Sequence, residues 1–222
     1  MIFAGFEIVV ISYLLGSIPF GFLVAKTRGI DIRQHGSGNI GATNVLRVLG
    51  KKWGIPVFVL DALKGLIAVR LAMVLGAHEI PLAAAGIMGA VCCILGHNFP
   101  IWLGFKGGKG IATSAGVLLG MLPVAGVLSF CVWLLLFFLT RYVSLASIFA
   151  AITVPVVVVL QLIFVWKGNG WPFFYFALVI AVLAVWRHRS NIKRLLTGTE
   201  PRFEKKKETE SEIQDGTGAA PL

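Results

Sequence analysis

The sequence predicts an all-α fold, a polytopic membrane helix bundle of about seven transmembrane helices. Three observations predict it: 57% of the 222 residues are hydrophobic, only 14% are charged, and long apolar runs alternate with basic segments. Soluble domains usually carry about 25% charged residues, so a chain this apolar needs the bilayer as its solvent. We expect residues 1–200 to form one membrane-embedded domain and residues 201–222 a polar, disordered cytoplasmic tail.

Six apolar runs are candidates for membrane helices. They are 8–25, 53–76, 80–105, 110–140, 142–166 and 171–186. A helix needs about 20 residues to cross a hydrocarbon layer of about 30 Å, and the shorter runs have aromatic and basic flanks suited to the interface. Because the chain starts without a basic segment or a small-residue cleavage site, we expect 2–25 to be a retained first helix.

The run 110–140 is too long for one crossing, since about 30 helical residues extend about 45 Å. Pro123 lies near its middle, and a proline inside a helix removes a hydrogen bond and clashes with the preceding turn. The sequence therefore predicts two short helices, 111–122 and 124–139, although a single kinked helix remains the alternative.

The basic residues predict the orientation. Segments 26–53, 97–110, 140–143 and 187–222 contain six, two, one and eight Lys or Arg residues, seventeen of the twenty. By the positive-inside rule these segments are cytoplasmic, with the N-terminus outside and the C-terminus inside. Because the net charge of +10 is distributed between apolar runs, it does not indicate nucleic-acid binding.

Three polar, glycine-rich segments are predicted to reach this cytoplasmic face. They are HGSGNIGATNVLRVLG (35–50), GHNFPIWLGFKGGKGIAT (96–113) and RHRSNIKRLLTGTE (187–200). Glycines let the backbone approach a ligand closely, and free N–H groups at a helix start beside lysines form an anion site. Each segment alone is also compatible with an ordinary interfacial turn, but the three together predict a phosphate-bearing ligand.

Several other chemistries are disfavoured. Gly110 follows Lys109, where a nucleotide-binding P-loop requires Ser or Thr. The four histidines lack metal-ligand spacing, and Cys92, Cys93 and Cys131 lie in apolar runs, where we expect buried, unpaired side chains. We therefore expect no metal and no cofactor. No histidine precedes an aspartate by five residues, so the His–Asp pair of thioester-using glycerolipid acyltransferases is missing.

Asp61 and Lys64 lie three residues apart within an apolar run, so one helix face carries both. Charged residues inside a membrane helix are functional-site candidates. We favour a structural role, in which this pair ties its helix to the polar loops.

The three segments resemble the motifs of the bacterial acyl-phosphate:glycerol-3-phosphate acyltransferases, the PlsY family. The resemblance rests on SGNIGATNVLR (37–47), GHNFP with FKGGKGIAT (96–113) and HRSNIKRLLTGTE (188–200), and extends over about residues 5–200. It implies a seven-helix enzyme of the bacterial inner membrane whose active site faces the cytoplasm. Such an enzyme transfers a fatty acyl group from acyl phosphate to the sn-1 hydroxyl of glycerol 3-phosphate. The products are lysophosphatidic acid and inorganic phosphate, in the first step of phospholipid synthesis.

The resemblance also implies roles for individual residues. The predicted catalytic residues are His188, Asn191, Ser37 and Lys109. The predicted substrate-binding residues are Asn39, Asn44, Arg47, Lys106, Gly107, Gly108, Gly110, Thr113, Ser144 and Ser147. Structural roles near the site are predicted for Glu200, His97, Asp61 and Lys64. The expected partners are glycerol 3-phosphate, fatty acyl phosphate, membrane lipids and the enzyme that makes the acyl phosphate.

Two questions remain open from the sequence. His188 is either the general base or a residue that orients a substrate phosphate, which then accepts the proton itself. A transporter for a phosphorylated small molecule is the alternative function, but a transporter site usually lies at the midplane between repeats, and the chain shows no internal repeat.

Overall fold

A computed structural model describes residues 2–168 and 170–203 as an all-helical bundle. Most of the predicted tail, residues 204–222, lies outside the described residues, so its disorder stays a prediction. Ten α-helices follow one another in the described part of the chain. They are α1 (Ile2–Ser17), α2 (Phe20–Lys26), α3 (Ala42–Leu49), α4 (Lys51–Gly76), α5 (Leu82–Asn98), α6 (Ile111–Met121), α7 (Pro123–Thr140), α8 (Val143–Phe164), α9 (Trp171–Arg187) and α10 (Arg189–Leu196).

By length and composition, four segments of the described chain are able to cross a membrane: Ile2–Lys26, Leu82–Leu103, Pro123–Thr140 and Val143–Phe164. The pair α9 and α10, bent by 56°, is a fifth candidate. The predicted number of seven is therefore supported only in part. Helix α6 has just 11 residues, and the 26-residue α4 includes Asp61, Lys64 and Arg70.

The predicted division of 110–140 is confirmed, because α6 ends at Met121 and α7 begins at Pro123. A proline at the first position of a helix loses no hydrogen bond, which explains the boundary. The predicted first helix forms one membrane-span candidate, Ile2–Lys26, but it consists of two helices. Pro19 separates α1 from α2, since it has no N–H to continue the helical ladder.

Helix α4 is the centre of the bundle and packs against α1, α3, α5 and α6. Its approach to α6 is close, because a Cβ on Gly65 would overlap the carbonyl of Thr113, and one on Gly116 would overlap the carbonyl of Ala62. Small residues at such crossings let helix backbones pack together in a membrane. This packing places the first turn of α6 against the buried face of α4.

The three cysteines differ in burial. Cys93 is buried, with its Sγ 3.7 Å from the Lys64 carbonyl of α4, Cys92 is half-buried, and Cys131 is exposed on α7. The expectation of three buried side chains is therefore wrong for Cys131. The reason is that α7 lies at the edge of the bundle and turns an apolar surface outward, including Phe130, Leu135 and Phe138.

Candidate active site

The three polar segments meet in one pocket, which confirms their predicted convergence. The pocket has a volume of about 110 Å³. Its lining residues are Ser37, Gly38, Asn39, Lys109, Ser190 and Arg194. They come from the loop before α3, the loop before α6, and helix α10. Each of the three motifs therefore supplies part of the pocket lining.

Asn44 organises the first segment from beneath. Its Oδ1 accepts a hydrogen bond from the Ser37 N–H at 2.9 Å, and its Nδ2 donates to the carbonyls of His35 and Asn39, both at 2.9 Å. Asn39 Oδ1 in turn accepts from the Gly41 N–H at 2.9 Å. The buried Asn44 thus folds the loop that lines the pocket, while Ser37 and Asn39 reach the pocket itself.

The glycine loop of the second segment is hydrogen-bonded to the end of α5. The Gly107 N–H donates to the Asn98 carbonyl at 3.2 Å, and the Gly108 N–H donates to the His97 carbonyl at 3.1 Å. Because these two donors are already used within the protein, Gly107 and Gly108 offer no free N–H groups to a phosphate. The anion site predicted at the start of the following helix, α6, stays a prediction. The loop instead presents the ammonium group of Lys109 to the pocket.

Arg187, at the end of α9, fixes the other side of this loop. Its guanidinium donates to the Gly107 carbonyl at 2.9 Å and, from Nε, to the Gly108 carbonyl at 3.1 Å. The loop Gly107–Gly108 is therefore bonded through both its N–H groups and its carbonyls. A backbone held from both sides positions the side chain of the next residue, Lys109.

Three other predicted residues of the second segment lie apart from the pocket lining. Gly110 adopts a left-handed conformation, with φ of 80°, where the chain turns into α6. Thr113 is fully buried where α6 packs against α4. The side chain of Lys106 is exposed. Their roles in substrate binding stay predictions.

Asn191 and Glu200 connect the second and third segments. Lys109 Nζ donates to Asn191 Oδ1, and Asn191 Nδ2 donates to Glu200 Oε1 at 2.7 Å. Glu200 also accepts from Ser144 Oγ at 2.6 Å and from Arg194 Nε at 2.8 Å. One carboxylate thus holds α8, α10 and, through Asn191, the lysine of the pocket.

His188 lies at the bend between α9 and α10 and is buried. Its Nδ1 is 2.7 Å from the Ala184 carbonyl oxygen. Since a carbonyl only accepts hydrogen bonds, Nδ1 carries the proton and Nε2 is left as an acceptor. The residue therefore closes the last turn of α9 and keeps one nitrogen able to accept a proton.

The electrostatics of the pocket are dominated by cations. Burial lowers the pKa of Lys109 from 10.5 to about 8; Glu200 opposes this shift, while Arg194, Arg187 and Arg47 add to it. Burial raises the pKa of Glu200, but its hydrogen bonds to Ser144, Asn191 and Arg194 outweigh that effect and leave the pKa below 4.5. An anion that enters this pocket meets excess positive charge.

Arg47 and Ser147 contact neighbouring residues instead of the pocket lining. The guanidinium of Arg47 lies over the ring of Phe203 at 5.4 Å. Ser147 donates to the Val143 carbonyl at 2.7 Å and accepts from Trp133 Nε1 at 3.0 Å. The predicted roles of these two side chains toward a substrate stay predictions.

Two charged residues of α4, Asp61 and Lys64, are buried next to His97 of α5. Lys64 Nζ is 2.8 Å from Asp61 Oδ1, as expected for residues on one helix face, and His97 Nδ1 is 3.5 Å from the same oxygen. All three side chains are at most 5% exposed. None of them lines the pocket.

Sequence reasoning missed Arg187, Ser190 and Arg194. The signal was present for Arg194, because it lies three residues after Asn191 and four after Ser190, spacings that bring helix side chains together. The segment as a whole was predicted to present phosphate-binding donors, but only His188, Asn191 and Glu200 were named in it. Arg187 was harder to find, since its partners are backbone carbonyls almost 80 residues away.

Comparison with known proteins gives consistent results. The family model "Glycerol-3-phosphate acyltransferase" matches residues 6–198. A relative of that name from Halalkalibacterium halodurans is 46% identical over 92% of this chain and 98% of its own, and one from Aquifex aeolicus is 47% identical over 88% and 97%. The crystal structure of PlsY (YgiH), an integral membrane glycerol 3-phosphate acyltransferase, in its glycerol 3-phosphate form is 44% identical with a TM-score of 0.81. The alignment with that structure covers 90% of this chain and 96% of the PlsY chain. The lysophosphatidic acid form of the same protein gives a TM-score of 0.79.

Glu200→Gln should lower the apparent melting temperature in detergent at pH 7, because the neutral amide loses the charged hydrogen bonds to Ser144, Asn191 and Arg194. The pKa of Glu200 is depressed in the folded protein, so its stabilisation is complete above the unfolded value of 4.5 and is lost as pH falls through the folded value. The difference between wild type and variant should therefore shrink below pH 4.5. Thermal unfolding by circular dichroism measures it, with the exposed Glu7→Gln as control; equal melting temperatures at pH 7 would contradict the role of Glu200.

Proposed function

The chain belongs to the glycerol-3-phosphate acyltransferase family, and we propose that it transfers a fatty acyl group from acyl phosphate to the sn-1 hydroxyl of glycerol 3-phosphate. The products are lysophosphatidic acid and inorganic phosphate. The observation that carries the proposal is the convergence of three motifs on a cationic pocket that includes Lys109 and Arg194. That convergence is what two phosphate-bearing substrates require.

The pocket suits a phosphate through side chains. Lys109 supplies a point charge, Arg194 a planar guanidinium, and Ser37 and Asn39 add polar groups at the opposite wall. Lys109 is also preorganised, since Asn191 holds its ammonium before any ligand binds. Preorganised charges cost little reorganisation when negative charge develops in a transition state.

An acyl phosphate is the donor that this chemistry fits best. It is a mixed anhydride, so the enzyme has to orient the reactants and neutralise the leaving phosphate more than it has to supply a strong base. The glycerol hydroxyl oxygen attacks the carbonyl carbon, the bond from that carbon to the phosphate oxygen breaks, and the electron pair leaves with the phosphate. Arg194 stabilises that leaving charge, while Lys109 binds the phosphate of glycerol 3-phosphate.

The proton of the attacking hydroxyl goes to a phosphate oxygen in this proposal. A protonated His188 would add a further positive charge beside Lys109 and Arg187, whereas a phosphate that accepts the proton only reduces its own negative charge. His188 then acts by closing the bend that carries Asn191 and by accepting a hydrogen bond at Nε2.

The site is proposed to face the cytoplasm of a bacterial inner membrane, with the N-terminus outside. This orientation rests on the seventeen basic residues that the topology assigns to one side. Helices α4 and α6 are proposed to lie within the bilayer as well, which brings the number of membrane helices to seven. Membrane lipids surround the bundle, and the enzyme that makes the acyl phosphate is the expected partner. A transporter finds no support, because the pocket forms at loops and helix ends and the family is one of acyltransferases.

The donor is tested with purified protein, glycerol 3-phosphate and either palmitoyl phosphate or palmitoyl-CoA. With palmitoyl phosphate we expect equal amounts of lysophosphatidate and inorganic phosphate, and with palmitoyl-CoA a rate at least about a hundredfold lower, since thiolate departure gains nothing from a phosphate pocket. Comparable rates with both donors would contradict the proposed donor. If neither donor yields lysophosphatidate, the proposed function is contradicted.

Lys109 makes the reaction sensitive to alkaline pH. The pKa of about 8 predicts that kcat/KM for glycerol 3-phosphate falls as pH rises above 8, because the ammonium loses its proton while the substrate phosphate is already dianionic above about pH 6. In Lys109→Arg the remaining activity should show no such fall up to pH 10, since a guanidinium stays protonated. The exposed Lys51→Ala is the control and should keep the wild-type profile. The same alkaline fall in Lys109→Arg would show that another group causes it.

A further inference from the structure

A charged cluster lies buried behind the pocket, and the proposed chemistry does not use it. It consists of Asp61, Lys64 and His97, on α4 and α5. Charges inside an apolar bundle are costly unless they are paired or bonded. We therefore expect this cluster to have a structural or functional role, and its contacts on either side indicate that role.

On one side the cluster is fixed to the break between α1 and α2. Lys64 Nζ donates to the Ile18 carbonyl at 2.8 Å, next to Pro19. That carbonyl lies between the two helices and also accepts a hydrogen bond from the Phe20 N–H at 3.2 Å. Lys64 Nζ is also 2.8 Å from Asp61 Oδ1. Lys64 therefore connects the Asp61 carboxylate to the backbone at Ile18, which is not part of the pocket.

On the other side the cluster supports the loop of Lys109. His97 Nδ1 is 3.5 Å from Asp61 Oδ1, and the His97 carbonyl accepts the Gly108 N–H at 3.1 Å. The imidazole lies directly against the Cα of Gly108, since a Cβ placed there would overlap the ring at Nε2. The His97 side chain thus packs directly against Gly108, the residue before Lys109.

We propose that His97, oriented by the Asp61–Lys64 pair, is a positioning residue that sets the height of the Gly107–Gly108 backbone and thereby places the Lys109 ammonium against its phosphate. The inference rests on the proposed function, because it assigns Lys109 to a phosphate-bearing substrate. Arg187 donates to the carbonyls of the loop, and the His97 carbonyl accepts the N–H of Gly108. The loop is held between two side chains from different helices.

The test adds a methyl group at Gly108 and then removes the imidazole of His97, which that methyl group would meet. Gly108 has no positive φ, so alanine fits its backbone, and the side chain of His97 is what the new Cβ would meet. Gly108→Ala should raise the KM for glycerol 3-phosphate about tenfold or more. Adding His97→Ala should then recover at least about threefold of that loss, because the methyl group occupies space that the imidazole has left.

Gly107→Ala is the matched control. A Cβ there would overlap the His97 carbonyl oxygen and the Pro100 ring, and both remain when the imidazole is removed. His97→Ala should therefore give no recovery in the Gly107→Ala background. Equal recovery in both backgrounds, or no recovery in the Gly108→Ala background, would overturn the proposal.

The alkaline limb of kcat/KM separates positioning from a loss of folded protein. In Gly108→Ala a displaced and more hydrated Lys109 should move the limb to higher pH, and the double variant should return it toward pH 8. A smaller folded fraction lowers the rate at every pH and leaves the limb where it is. An unchanged limb in Gly108→Ala would overturn the proposal.

Asp61→Asn provides a test that introduces no clash, and it applies should Gly108→Ala fail to fold. It should raise the KM for glycerol 3-phosphate several-fold and move the limb in the same direction; an unchanged KM and limb would overturn the proposal. Lys109→Ala distinguishes the two levels. If Lys109→Ala leaves the KM unchanged, the proposed function fails. If it raises the KM while the Gly108 and Asp61 variants behave like wild type, only the role of His97 fails.

Discussion

The hydrogen-bond chain from Glu200 through Asn191 to Lys109 is the interaction on which the rest of the site depends. A lysine that is surrounded by arginines and largely withdrawn from water would turn toward solvent if nothing held it. Asn191 Oδ1 accepts from its ammonium, and Glu200 fixes the amide group of Asn191 at 2.7 Å. Because Glu200 also binds Ser144 on α8 and Arg194 on α10, the position of the charge is determined by several helices together.

The bundle makes this chain possible through close helix crossings. Gly65 and Gly116 bring α4 and α6 into backbone contact, and Gly16 and Gly96 do the same for α1 and α5. In a membrane such contacts replace the hydrophobic effect as a source of helix association. The loop that starts α6 is consequently held at a fixed distance from α5, where His97 and Asn98 receive its N–H groups.

The sequence predicted those features that local chemistry decides. Pro123 marked the boundary between α6 and α7, the spacing of Asp61 and Lys64 predicted their ion pair, and the three glycine-rich motifs predicted a shared pocket. The break at Pro19 was equally readable, since a proline inside an apolar run should have been interpreted in the same way. What long-range packing decides was not predictable. The N–H groups of Gly107 and Gly108 looked free in sequence, but carbonyls of α5 bind them, and Asn44 looked like a ligand-binding residue although its amide is used to fold its own loop.

The central claim is that the Lys109 ammonium, held by Asn191, binds a substrate phosphate. Equilibrium binding of radiolabelled glycerol 3-phosphate to the purified protein, without any acyl donor, tests it most directly. The account predicts saturable binding that inorganic phosphate displaces, and a dissociation constant at least about tenfold higher for Lys109→Met, as expected for the loss of a charged hydrogen bond. Equal affinities of wild type and Lys109→Met for glycerol 3-phosphate would contradict it.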